Sequence, residues 1–159
     1  MKRSSKKSNK LLISACLFGQ DTRYDGKNSK LSKDIFDRLS QKYELIPFCP
    51  EVEGGLLTPR EPNEIDSTSK TLKLHTKDDI DNTKFFVSGA KKCLKLMQTH
   101  DIKVALLKSK SPSCSTKKIY DGAFNKTLID GMGVTANLLS QNDILMYDEN
   151  EIENLLCKN

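Results

Sequence analysis

The chain has 159 residues, of which 36% are apolar and 30% charged, enough for one domain with a single sizeable core and too apolar for a disordered protein. Its net charge of +5 resides in residues 1–10, where Lys2, Arg3, Lys6, Lys7 and Lys10 stand without an acid; residues 11–159 hold 21 basic and 21 acidic side chains, interleaved throughout. That balance argues against a nucleic-acid partner, and no run approaches the ~18–20 apolar residues a membrane-spanning helix needs. Residues 1–10 read as a basic, disordered arm and residues 11–159 as one domain. The apolar stretch before Cys16 is only five residues, against the ~7–15 of a secretory signal, so a lipidated N-terminus is not expected. The reading is a cytoplasmic protein, in which cysteines stay reduced and are more often metal-binding or catalytic than paired.

In chain order, residues 11–15 form an apolar first strand, and residues 16–30 a loop rich in Gly, Asp and Asn. Residues 29–40 place Leu31, Ile35, Phe36 and Leu39 on one helical face. Residues 43–48 are a second strand ending at Cys49-Pro50, and residues 51–65, with two prolines and Gly54-Gly55, a long irregular loop. Residues 70–76 alternate like a strand or edge hairpin. A helix over 83–99 follows, its N-terminus capped by Asp81 or Thr83. Residues 103–107 are the third strand, 117–124 a loop, 128–140 a last helix and 143–147 a last strand. Strands alternating with helices predict an α/β fold: a single Rossmann-like domain with a mainly parallel sheet and helices on both faces.

Three of the five cysteines lie just beyond apolar runs: Cys16 after Leu11–Ala15, Cys49 after Leu45–Phe48, and Cys114 a few residues after Val104–Leu107. In an open parallel sheet the carboxyl ends of the strands face one crevice, so three thiols distant in sequence can meet there. Thiolates select zinc, copper(I) or iron–sulfur clusters. The lack of any CxxC pair counts against a zinc ribbon. His100 reads as the end of a helix, Cys93 as a small hydrophobe on an apolar stripe and Cys157 as an inert thiol in the tail. Spacing alone leaves a three-thiolate metal centre and a single nucleophilic cysteine on an equal footing.

The flanking motifs are more specific. The chain reads Ser14-Ala15-Cys16-Leu17, Arg23-Tyr24-Asp25-Gly26, Cys49-Pro50-Glu51-Val52, Gly54-Gly55-Leu56 and Thr58-Pro59-Arg60. It continues with Leu107-Lys108, Ser111-Pro112-Ser113-Cys114, Ile119-Tyr120-Asp121-Gly122-Ala123-Phe124 and Gly131-Met132-Gly133-Val134-Thr135-Ala136. In that order, over residues 11–147, these resemble a small bacterial family named for thiouracil desulfurases. The resemblance implies a [4Fe–4S] cluster held by Cys16, Cys49 and Cys114, with the fourth iron open to a substrate's sulfur. It implies an enzyme converting thiouracil, or a related thio-heterocycle, and water into uracil and sulfide without net electron transfer.

Such a reaction needs proton transfer. Glu51, two residues beyond Cys49, is the expected acid/base, with pairing to Arg60 as its structural alternative. Ser111 is a proton relay or, alternatively, a turn residue before Pro112. Lys108 and Arg60 are expected to meet the heterocycle's oxygen or, equally, to stand as charges near the cluster, and Asp25 to bind substrate or serve its Asp-Gly turn. Two departures from the family pattern stand out: Ser115 replaces a glycine that would allow positive φ, and residues 77–83 keep only Asp81 and Thr83 of the usual motif. The competing readings are a cluster-free transferase or hydrolase with a cysteine nucleophile, and a metal-stabilised RNA-binding module.

Overall fold

The computed structural model describes residues 9–157. The first strand, β1, spans Lys10–Ser14 and runs into a single-turn helix, α1, at Ala15–Phe18. Of the basic arm over residues 1–10, only Asn9 and Lys10 fall within the described residues, and Lys10 already belongs to β1. Helix α2 (Lys33–Lys42) starts later than the spacing predicts because Ser32 caps it, its hydroxyl accepting from the Ile35 amide at 3.3 Å. Strand β2 (Glu44–Phe48) leads into the one-turn helix α3 (Pro50–Glu53), with Pro50 at the first helical position.

The stretch expected to be irregular through residue 65 thus opens on α3 and closes on a strand, β3 (Asn63–Ile65), which pairs antiparallel with β4 (Leu74–Thr76). Helix α4 covers Thr83–Thr99 as predicted, with His100 closing it. Asp81 serves its entry, accepting from the Thr83 amide at 2.9 Å. Strand β5 spans Val104–Leu107. Residues 117–124, predicted as loop, contain β6 (Lys118–Tyr120), which pairs with β7 (Leu128–Asp130). The helix expected over 128–140 is therefore shorter: Gly131 and Gly133 end the strand, and α5 occupies only Val134–Ser140. After β8 (Leu145–Asp148), a 3₁₀ turn at Glu149–Glu151 and a helix, α6 (Ile152–Cys157), replace the expected tail.

The main sheet is parallel throughout, in the order β2-β1-β5-β8. Alternation along the strands divides the core into two layers. Leu12, Ala105 and Leu107 face α4 and α5, packing with Cys93, Met97, Ala136 and Leu139. Leu11, Ile13 and Leu106 face the opposite way, onto Leu39 of α2 and Ile152 and Leu155 of α6. Helices thus cover both faces, as the order of elements predicts. The chain leaves β1 toward β2, then returns to place β5 on the other side of β1. The carboxyl end of the β1–β5 pair is therefore a topological switch point, where open α/β sheets form their ligand crevice.

Candidate metal centre

Cys16, Cys49 and Cys114 follow β1, β2 and β5, so all three open onto that edge. Cys16 lies in α1, where its carbonyl accepts from the Ser29 amide at 2.9 Å and ties down the far end of the 16–30 loop. Cys49 occupies the N-cap position of α3, and its Sγ lies 4.0 Å from the Thr22 carbonyl. Glycine makes this placement possible. A Cβ on Gly89 of α4 would stand 1.8 Å from the Pro50 carbonyl oxygen, so only a bare backbone lets α4 press α3 into position.

The Cys114 loop is held from two sides. Ser111 Oγ accepts from the Ser113 and Cys114 amides at 3.1 and 3.0 Å. From beneath, the first amides of α5 close on the loop: Val134 donates to the Pro112 carbonyl, and Thr135 and Ala136 to that of Ser113. Gly133 touches the same loop so closely that a Cβ would lie 2.4 Å from the Ser113 carbonyl carbon. Ser115, standing where a glycine was expected, is not among the residues with positive φ. Its buried hydroxyl donates to the Lys118 carbonyl at 2.5 Å and starts β6, so the replacement causes no backbone strain.

The three thiols sense one another. Burial pushes Cys16 up to about 11, and the neighbouring Cys49 adds to the shift, opposed by Lys108 and Arg23. Burial raises Cys49 and Cys114 as well; on Cys114 a hydrogen bond with the Ser14 side chain opposes the rise, while Cys49, Cys16 and Glu51 add to it. Cys93 is raised to about 12 by burial alone and has no charged neighbour, which marks it as part of the core. Cys157 is exposed at the end of α6. His75 lies in β4 against Phe124. Among the described residues, no three His, Cys, Asp or Glu side chains close around a single metal ion.

Glu51, on α3, has both carboxylate oxygens engaged. Oε1 accepts from Arg60 Nε and Nη2 at 3.0 and 2.8 Å, while Oε2 accepts from the fully buried Ser113 hydroxyl at 2.5 Å. Arg60 also donates to the Thr22 and Leu57 carbonyls and to Thr58 Oγ1, so all five of its N–H groups have acceptors within the protein. As folded, Arg60 serves Glu51 and the neighbouring loop, and the contact expected with a substrate oxygen would draw on donors already engaged there. Ser111 is the organiser of the cysteine loop, and Ser113 is the hydroxyl that meets the carboxylate; the two hydroxyls are 3.5 Å apart.

Lys108 donates through Nζ to Glu149 Oε2 at 2.9 Å, and through its amide to Ser14 Oγ at 2.9 Å. Its amide bond to Ser14, two residues before Cys16, sets it beside the end of β1, and its charge favours the Cys16 thiolate. Asp25, expected to bind substrate or serve its Asp-Gly turn, is engaged locally. Its carboxylate pairs with Arg23 and accepts from the Lys27 amide, and the Arg23 hydrogen bond holds it below the usual carboxylate range. Arg23, which also donates to Ser29 Oγ at 2.9 Å, carries a charge that favours the Cys16 thiolate. Ser113, Glu149 and Ser14 escaped the sequence reading. Ser14 and Ser113 each sit within a motif around a candidate cysteine, whereas Glu149 carried no signal.

Comparison with known proteins agrees with the motifs. The 2-thiouracil desulfurase family model matches residues 11–151. The uncharacterized protein YbbK of Bacillus subtilis (strain 168) is 36% identical over 152 residues, spanning 92% of this chain and 99% of that protein. A solved structure of the [4Fe–4S]-dependent thiouracil desulfidase TudS superposes with a TM-score of 0.84 at 37% identity, over 92% of this chain and 95% of its own. A family model matching nearly the whole chain and a solved structure of the same fold at this identity settle the kinship: this chain belongs to the 2-thiouracil desulfurase family.

Proposed function

We propose that the chain hydrolyses the C–S bond of a thiolated pyrimidine, with Cys16, Cys49 and Cys114 as the protein ligands of a [4Fe–4S] cluster. The observation that carries this reading is the convergence of three mutually coupled thiols from three parallel strands beside a gripped carboxylate, Glu51. The donor set fits the group. Thiolates suit iron–sulfur clusters, and ligands of a polynuclear cluster sit on different metal atoms instead of closing on one ion. Thr22 adds a second sign: beside Cys49, its Oγ1 is buried without a hydrogen-bond partner. The raised thiols count against a cluster-free cysteine nucleophile, which needs a thiolate at neutral pH, whereas a bound metal displaces the thiol proton outright.

When bound, a three-cysteine cluster offers one open iron as a Lewis acid for thiocarbonyl sulfur. The chain's own groups then move the protons. Glu51 Oε2 takes a proton from the water that adds to the C–S carbon, while Arg60 keeps Oε1 fixed and the Ser113 hydroxyl relays the proton onward. Ser111 keeps that hydroxyl in place. A C–O bond forms and the C–S bond breaks, its electron pair leaving with sulfur. Both water protons end on sulfide, and no electrons are exchanged. The substrate is a small thio-heterocycle; among the described residues no helix is long and apolar enough to cross a membrane.

Anaerobically purified protein is expected to be brown, to carry about four irons and four sulfides per chain, and to release sulfide from 2-thiouracil. Replacing Cys16, Cys49 or Cys114 by Ser is expected to abolish both iron binding and turnover. A colourless chain after anaerobic reconstitution, or a Cys49→Ser protein that retains its iron, overturns the proposal.

A further inference from the structure

Glu149 is distant in sequence from every motif of the site, yet it is bonded into it. It begins the 3₁₀ turn after β8, which lies beside β5 in the sheet, so the carboxyl ends of the two strands are neighbours. Oε1 accepts from the Ser109 amide at 2.8 Å; Oε2 accepts from the Ser109 hydroxyl at 2.7 Å and from Lys108 Nζ at 2.9 Å. The pair is largely buried, with side-chain exposures of 22% for Lys108 and 19% for Glu149. The Asp148–Glu151 capping box fixes the turn that carries the carboxylate. Lys108 is thus held at three points: its amide on Ser14, and its ammonium on Glu149 at 2.9 Å and, more weakly, on the Ser109 carbonyl at 3.2 Å.

Resting on the reading above, we infer that Glu149 is a positioning residue of the desulfurase: it holds the Lys108 ammonium on the Cys16 side of the crevice. There the cation faces the negative charge that develops on the heterocycle and its sulfur as the C–S bond breaks. A lysine stem has four rotatable bonds, so an unrestrained ammonium would spread over many positions. A preorganised cation acts on the transition state without reorganising at the moment of reaction. Glu149 contributes by fixing where the ammonium sits. Removing it lowers kcat more than it raises KM.

The competing role for Glu149 is to staple β5 to β8 through Ser109 alone, and a double-mutant cycle separates the two. Glu149→Gln keeps an acceptor for Ser109 while losing the charge; Lys108→Met keeps the stem's length without the ammonium. In the holoenzyme, each single variant is expected to lower kcat for 2-thiouracil about tenfold, and the double variant no more than about twofold further, as for groups acting as a unit. Iron and sulfide per chain stay at the wild-type level. Urea unfolding of the apoproteins, read by far-UV circular dichroism, shows the same lack of additivity. A hundredfold loss in the double variant, wild-type kcat in Glu149→Gln, or additive unfolding overturns the inference and leaves Glu149 a staple. A wild-type chain without iron or sulfide release overturns the desulfurase reading as well, and is told apart because it fails before any variant is made.

Discussion

Two arginine–glutamate pairs of the molecule share their chemistry and differ in how they spend their oxygens. Arg38 and Glu153 join α2 to α6 through two parallel hydrogen bonds of 3.0 Å, one to each carboxylate oxygen, with exposures of 41% and 68%. Arg60 places both of its bonds on Oε1 of Glu51 and leaves Oε2 to Ser113, with exposures of only 9% and 13%. The first arrangement closes the carboxylate off. The second clamps one oxygen and presents the other to a hydroxyl beside three thiols. An ion pair at a crevice is thus a poor indicator of function until its free oxygen is located.

The sharpest way to break this contrast is to neutralise Glu51. Glu51→Gln keeps the shape and an acceptor for Arg60 but cannot take a proton. It is expected to lower kcat about 10²- to 10⁴-fold, the range of general acid–base catalysis, with iron content unchanged. Retention of turnover in that variant would reduce Glu51 to a structural counterpart of Glu153. Next in size is Arg60→Met. It leaves Glu51 half-buried without its cation and frees the Thr22 and Leu57 carbonyls. A loss of about tenfold to a hundredfold in kcat is expected, as for partners that orient groups around a metal. A fall of about 3 kcal/mol in unfolding free energy by urea titration accompanies it.

The cysteines offer the same contrast with a smaller effect. Cys93 is as buried as Cys114, but it lies between α4 and the sheet without a charged neighbour. Cys93→Ser sets a hydroxyl into an apolar layer and is expected to cost about 1–3 kcal/mol of stability. The iron content and turnover of the folded fraction remain at the wild-type level. Iron loss there, measured at a temperature where the variant is folded, would extend the metal centre into the core.

The parallel sheet was legible because its strands are short apolar runs followed by turn residues, and because Phe86, Ala90, Cys93 and Met97 repeat at helical spacing along α4. The two hairpins were not. Strands of three residues, such as Asn63–Ile65 and Leu128–Asp130, are too short to show alternation, and Leu128-Ile129 falls in phase with α5 although Gly131 and Gly133 separate them. The acids around Glu149 carried no reading of their own; Ile152 and Leu155, three residues apart, were the overlooked sign of α6. In the site, strand ends and motifs indicated the cysteines, Glu51 and its link to Arg60. Whether Ser111 or Ser113 reaches the carboxylate depends on loop geometry, set by α5 amides and Gly133 some twenty residues away. No local pattern contains that choice.

The smallest expected effect belongs to Glu153, and it tests the comparison from the other side. Its hydrogen bonds from Arg38 hold its carboxyl below the ordinary glutamate value. A depressed folded-state value means that the contribution to stability is present above the unfolded value, ~4.3, and is lost as pH falls through the lower one. Both side chains are exposed, so solvent and salt screen the pair. Glu153→Gln should therefore change thermal melting at neutral pH by no more than the error of the measurement. It should flatten a slight acid-side slope and leave sulfide release untouched. A clear drop in activity would mean that α6 transmits its position to Glu149 and Lys108, only four residues and one salt bridge away. The exposed pair would then belong to the same machinery as the buried one.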